Sequence, residues 1–209
     1  MIICCYTEIN DQWSEKELAE KLALLPEGLR EQAMRKRLWM DRQLSIAGKL
    51  LLLHTPKELG IALSLSELKY NEFLRPFFDI GVDFNIAHSG NIAVCCGTVT
   101  GSVGIDIEEI KEIDLADYTD YFTANEWVHI HNYPNKYDGF YDFWTRKEAV
   151  LKAIGTGFHM PLTSVDVSET SLDHENKTYY FLPVHISDAY KCHIAVSVND
   201  SVLMIRVNL

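Results

Sequence analysis

The amino-acid sequence predicts an α+β fold, and three observations lead there. Strand-like and helix-like segments are mixed without strict strand–helix–strand alternation. Each half of the chain holds a strand pattern, a helical portion and further strands, with a turn at Thr100-Gly101 between them. The 209-residue length suits one large domain, or two small ones sharing a core. An N-terminal half at 1–100 and a C-terminal half at 101–209 follow.

Met1 to Tyr6 reads as a first strand; it lacks the basic start and the length of a signal peptide. Ser14-Glu15-Lys16-Glu17 is a capping box that opens a helix to about Leu25, where Pro26 follows. A longer helix is expected from about Leu29 to His54, stopped by Thr55-Pro56. Residues 56–83 are mixed, with Arg75-Pro76 in a loop. Phe84 to Ala87 reads as a short strand and His88-Ser89-Gly90-Asn91 as a turn. Ile92 to Val99 and Val103 to Ile107 read as strands. Thr123-Ala124-Asn125-Glu126 is a second capping box, and a helix from about Tyr137 to Ile154 ends at Gly155. Strands close the chain at Ile194 to Val198 and Val202 to Val207.

Composition excludes several classes. The chain is 47% apolar and 23% charged, as in an ordinary globular protein. None of its apolar runs, Leu50 to Leu53 among them, is long enough to cross a bilayer. The five cysteines, Cys4, Cys5, Cys95, Cys96 and Cys192, lack the spacing of a disulfide framework or a zinc site. Reduced, buried thiols and a cytoplasmic location are expected. The net charge of −11 argues against general nucleic-acid binding. Between Arg30 and Lys49, however, six basic residues face only Glu31 and Asp41. That stretch is either a solvated helix face or a site for an anion.

Two stretches carry candidate chemistry. In "VGIDIEEI" (103–110) a strand puts Asp106 and Glu108 on one face, about 6 to 7 Å apart. Such oxygen donors suit Mg²⁺ or Mn²⁺, although acids alternating along a solvent-facing edge strand give the same pattern. In "FWTRKEAVLKAIGTG" (143–157) Phe143, Trp144, Val150, Leu151 and Ile154 share one helical arc with Lys147 at its centre. A lysine there needs a partner, because an unpaired buried ammonium costs several kcal/mol. Glu148 and Lys152 sit one above the other at the arc's edge. His88 or nearby backbone N–H groups could hold a phosphate, though a lone turn histidine is more often structural. Paired acids, a Lys-Glu helix and a basic N-terminal helix together fit one anionic, metal-bound substrate.

These blocks resemble the 4′-phosphopantetheinyl transferases of the Sfp-like type. "FNIAHSG" (84–90), "VGIDIEE" (103–109) and "FWTRKEAVLKAIGTG" (143–157) match the family's blocks in order and spacing, and Gly48-Lys49-Leu50-Leu51 matches more loosely. The resemblance implies two similar α+β halves in a pseudo-twofold arrangement, with the active site in the cleft between them. It implies transfer of 4′-phosphopantetheine from coenzyme A to a serine of an apo acyl or peptidyl carrier protein, by a monomer. Asp106, Glu108 and Glu148 would hold Mg²⁺. Glu148 would take the serine proton, directly or through a water, Lys152 would meet the diphosphate, and Lys147, the third catalytic candidate, would support the site from the inner face. His88 would meet the 3′-phosphate, with Arg75, Arg37 and Arg42 as further nucleotide contacts. Glu126 matches a family acid near the site and equally reads as a helix cap. The chain departs from the family at Ala87, where the family has serine, and at Leu74-Arg75-Pro76, where it has Gly-Lys-Pro.

Overall fold

The computed structural model describes residues 1–155 and 160–209, and it is built from two four-stranded sheets and five α-helices. The first sheet is ordered β10-β1-β5-β4, from Val202–Arg206, Ile2–Glu8, Ile92–Thr98 and Asp83–Ser89. The second is β6-β9-β8-β7, from Val103–Glu109, Tyr190–Val196, Lys177–Pro183 and Ser171–His174. A short hairpin pairs β2 (Lys69–Tyr70) with β3 (Pro76–Phe77). The mixed α+β class is as the sequence predicts.

Alternation along the strands sorts the apolar residues into layers. Ile3, Cys5, Ala93 and Cys95 face the long helix α3 (Trp39–Glu58). Their neighbours Ile2, Cys4, Val94 and Cys96 meet Val103, Ile105, Ile107, Cys192 and Ile194 in a central layer between the sheets. The outer face of the second sheet is covered by α5 (Lys136–Ile154), packed through Phe140, Phe143, Val150 and Leu151. All five cysteines are buried and free. No helix among the described residues is long and apolar enough to cross a membrane.

Both capping boxes form, at the starts of α1 (Glu15–Ala23) and α4 (Ala124–His131). Gly155 ends α5 with φ 85°, the left-handed position that glycine occupies without strain. Four expectations change. The single helix from Leu29 is two, α2 (Glu27–Met34) and α3, because the apolar repeat lapses between Ala33 and Leu44 while Arg35, Lys36 and Arg37 are all exposed. Pro56 does not stop α3, which continues to Glu58. A proline there costs one backbone bond in the last turn, and the buried Thr55 hydroxyl bonds Leu51 O nearby. His88 and Ser89 belong to β4 rather than to the turn. Finally, β10 pairs in parallel with β1, so the last strand of the 101–209 half belongs to the first sheet.

Candidate active site

β6 lies against α5, and a glycine permits the approach. A Cβ at Gly104 would stand 2.1 Å from Ala149 O and 2.4 Å from Ala153 N. Gly104, Asp106 and Glu108 share the strand face under the helix. Lys152, on that helix, donates to Asp106 Oδ1 at 2.5 Å and to Ile105 O at 3.3 Å. Asp106 is buried, Glu148 is buried at the helix edge, and Glu108 is half-buried. Ser89 donates to Glu108 Oε2 at 2.6 Å. Asp106 Oδ2 and Glu148 Oε1 are buried with no hydrogen-bond partner.

The electrostatics follow from this crowding. Burial raises the Asp106 carboxyl above its ordinary range, and Lys152 only partly offsets it. Burial also raises Glu108, with Ser89 opposing and Asp106 adding to the rise. Glu148 is raised by burial, lowered by Lys152, and raised again by Asp106 and Glu108. For Lys152 burial opposes the charge, but Asp106, Glu148 and Glu108 outweigh it and hold the ammonium above its usual value. Three acids around one lysine leave an excess of negative charge that a cation would relieve. Among the described residues no three His, Cys, Asp or Glu side chains stand as a ready-made metal cage.

Beside this cluster lies a cavity of about 220 Å³, lined by Ser45, Gly48, Lys49, Tyr70, Ile86 and His88. His88 stands exposed at its mouth. Local burial of the ring, then Lys36 and Lys152, lower its pKa. Lys49 hydrogen-bonds Ser45 Oγ at 3.0 Å; its pKa is lowered by burial and by Lys36. Among the described residues no carboxylate pairs with Lys36 or Lys49. Lys49 thus gives the pocket a positive charge, and Lys152 of the acidic cluster acts electrostatically on His88 at its mouth. A larger cavity, about 560 Å³, opens between the first turns of α5 and β9 and includes none of the three acids.

The model of the 4′-phosphopantetheinyl transferase superfamily matches residues 102–203. The chain is 31% identical over 167 residues to the 4′-phosphopantetheinyl transferase psf-1 of Bacillus pumilus, covering 75% of this chain and 69% of that protein. It belongs to the 4′-phosphopantetheinyl transferase superfamily. It is also 33% identical over 130 residues to the transferase gsp of Aneurinibacillus migulanus, covering 58% of this chain but only 54% of that protein, so the match spans about half of that relative's length. The holo-[acyl-carrier-protein] synthase of Thermotoga maritima superposes with a TM-score of 0.36 at 19% identity, over 46% of this chain and 61% of that one.

For this superfamily member the structure brings together Asp106, Glu108, Glu148 and Lys152, with His88 at the adjoining pocket. It does not bring Lys147 with them. Lys147 is sealed from solvent and donates to Glu126, to Leu162 O at 2.9 Å and to Val165 O at 2.6 Å. Its ammonium is fully engaged, and a catalytic role is replaced by a structural one. Glu126 caps α4 and accepts from Val167 N as well as Lys147, so it too is a support rather than a site acid. Arg75 is likewise engaged elsewhere. It grips both Asp83 oxygens at 2.9 and 2.8 Å and donates to Ala153 O and Val103 O, closing the C-terminal end of α5. Arg42 donates to Lys36 O, and Arg37 is exposed; neither lines the pocket. Thr156 and Gly157, the end of the third block, lie outside the described residues. No motif singled out Lys49, which lines the pocket from within the basic stretch; Lys36, from the same stretch, acts on His88 and Lys49 by charge alone. Nor did any motif assign Ser89 to Glu108. The period-two polarity of Asp83, Asn85 and Ser89 was the available signal.

Proposed function

We propose that this chain transfers 4′-phosphopantetheine from coenzyme A to a serine hydroxyl of an apo acyl or peptidyl carrier protein, with Mg²⁺. The observation that carries the reading is the pair of buried, unpartnered oxygens, Asp106 Oδ2 and Glu148 Oε1, next to Lys152. Buried carboxylate oxygens without donors suit a hard divalent cation, which commonly takes one or two carboxylates and completes its shell with waters and phosphate oxygens. Asp106, Glu108 and Glu148 would hold it. When bound, Mg²⁺ draws charge from the diphosphate.

The chain's own residues supply the rest. Lys152, held cationic by its acids, stabilises charge on the diphosphate as the phosphorus–oxygen bond to adenosine 3′,5′-bisphosphate breaks. Glu148 takes the serine proton as the new phosphoester forms. His88 and Lys49, which line the pocket, receive the 3′-phosphate end, with the charge of Lys36 nearby; this moves the contact from Arg75, Arg37 and Arg42. In this reading the two halves are related by a pseudo-twofold, the site lies in their cleft, and a monomer works in the cytoplasm. The buried, unbridged thiols support a reducing compartment.

The test is to incubate the protein with coenzyme A, Mg²⁺ and a panel of apo carriers and weigh each carrier. A mass gain of one phosphopantetheine, absent with Glu148→Gln, is expected. Coenzyme A binding without any gain across the panel would instead mark a binding module.

A further inference from the structure

β4 and β6 belong to different sheets, yet they run side by side without a main-chain ladder. Side chains of β4 take the place of that ladder. Asp83 Oδ2 accepts from Val103 N at 2.7 Å, Asn85 Oδ1 from Ile105 N at 3.1 Å, and Ser89 Oγ from Glu109 N at 3.1 Å. Each pair is 20 residues apart, and the alternation of the strand sets the rungs. At the intervening place stands Ala87, which packs into the central layer instead.

The Ser89 rung differs from the others because a hydroxyl both accepts and donates. Its acceptor role toward Glu109 N leaves its single hydrogen for Glu108 Oε2, at 2.6 Å. That length is typical of a hydroxyl on a carboxylate. The donor is rooted in one strand and the acceptor in the next, so the contact holds Glu108 against repulsion from Asp106 and Glu148, which would otherwise turn it toward water.

We propose that Ser89 is the positioning residue for Glu108: its hydroxyl fixes one carboxylate oxygen and leaves the other directed for a divalent cation. The inference rests on Glu108 being a metal carboxylate, as proposed above. It concerns how that acid is held, not whether it is used.

The test reads binding rather than turnover. Mn²⁺ is titrated into the protein in the presence of coenzyme A, and free Mn²⁺ is followed by electron paramagnetic resonance. Ser89→Ala should weaken Mn²⁺ binding by about tenfold or more, the usual effect of removing a ligand's hydrogen-bond partner. Ser89→Thr, which keeps the hydroxyl, should stay close to the parent. Ser89→Cys, a similar size with a weak donor, should lie between. Coenzyme A affinity without metal should be unchanged in all three. If Ser89 only ties the strands together, Ser89→Ala lowers the thermal midpoint but binds Mn²⁺ like the parent, and the proposal fails. If Ser89→Ala does not fold, parent-like Mn²⁺ binding by Ser89→Cys overturns it equally. Failure of the underlying reading looks different: the parent and Glu108→Gln would then bind Mn²⁺ equally poorly.

Discussion

Replacing Lys147 by methionine separates support from catalysis on one helix. Lys147 and Glu126 are both sealed from solvent, and the ammonium meets Glu126 at 2.8 Å. The same ammonium bonds the carbonyls of Leu162 and Val165. Burial lowers the pKa of Lys147, and the Glu126 carboxylate offsets part of that drop. Methionine fills the aliphatic volume but leaves an uncompensated carboxylate and two carbonyls without their donor. Breaking one side of a buried pair costs about 3–5 kcal/mol. At roughly 2–4 °C per kcal/mol for a chain of this size, the midpoint should fall by about 6–20 °C. Adding Glu126→Gln should restore part of the loss, because the stranded charge is gone. Urea denaturation of the parent, both single variants and the double variant measures the coupling. Transfer per folded molecule, assayed well below the midpoint, should stay within about tenfold of the parent, or about 1.4 kcal/mol in the barrier. Lys152→Met should instead lose about 10²–10³ in rate per folded molecule, whatever stability it loses by leaving the buried Asp106 without its partner. A Lys147→Met protein that is as stable as the parent but inactive would refute the reasoning.

Other outcomes follow from the same geometry. Gly104→Ala should destabilise by about 1–3 kcal/mol or more by forcing α5 off β6, with coupled loss of transfer, read by thermal melts and the carrier assay. His193 is buried among Asp142, Arg146 and Lys191, and burial lowers its pKa to about 4 from 6.5. The unfolded chain therefore binds the proton first, and stability should fall as pH drops from about 6.5 through about 4, by up to about 3 kcal/mol. His193→Gln should flatten that part of a pH–stability curve; an unchanged slope would reject the assignment. Chelation with EDTA should abolish transfer, and Mg²⁺ or Mn²⁺ should restore it. Isothermal titration should show coenzyme A affinity weakening as salt rises, because the attraction of Lys49 and the neighbouring basic residues for phosphate is screened.

Asp106, Glu108, Glu148 and Lys152 were legible because each obeys a local rule: period two on a strand, or the four-residue step on a helix. The caps were legible for the same reason, as Ser14, Thr123 and Gly155 act within a few residues. What Lys147 and Arg75 do was not. Their partners lie up to 78 residues away, and no local pattern reports that Arg75 will meet Asp83 and Ala153, or that Lys147 will face the 162–165 carbonyls. A motif block marks that a lysine is required without saying whether substrate or protein requires it. The break between α2 and α3 was missed because strong helix formers across 34–38 conceal the missing apolar anchor.

The parallel pairing of β10 with β1 bears on how the molecule comes into being. Residues 202–206 supply one edge of a sheet begun by residues 2–8, so that sheet stays open during synthesis until almost all of the other half has left the ribosome. Contacts of such long sequence separation slow folding and expose unpaired strand edges meanwhile. A chain cut at residue 100 would therefore yield a first fragment with β1 bared along one side, inclined to capture strands from other molecules.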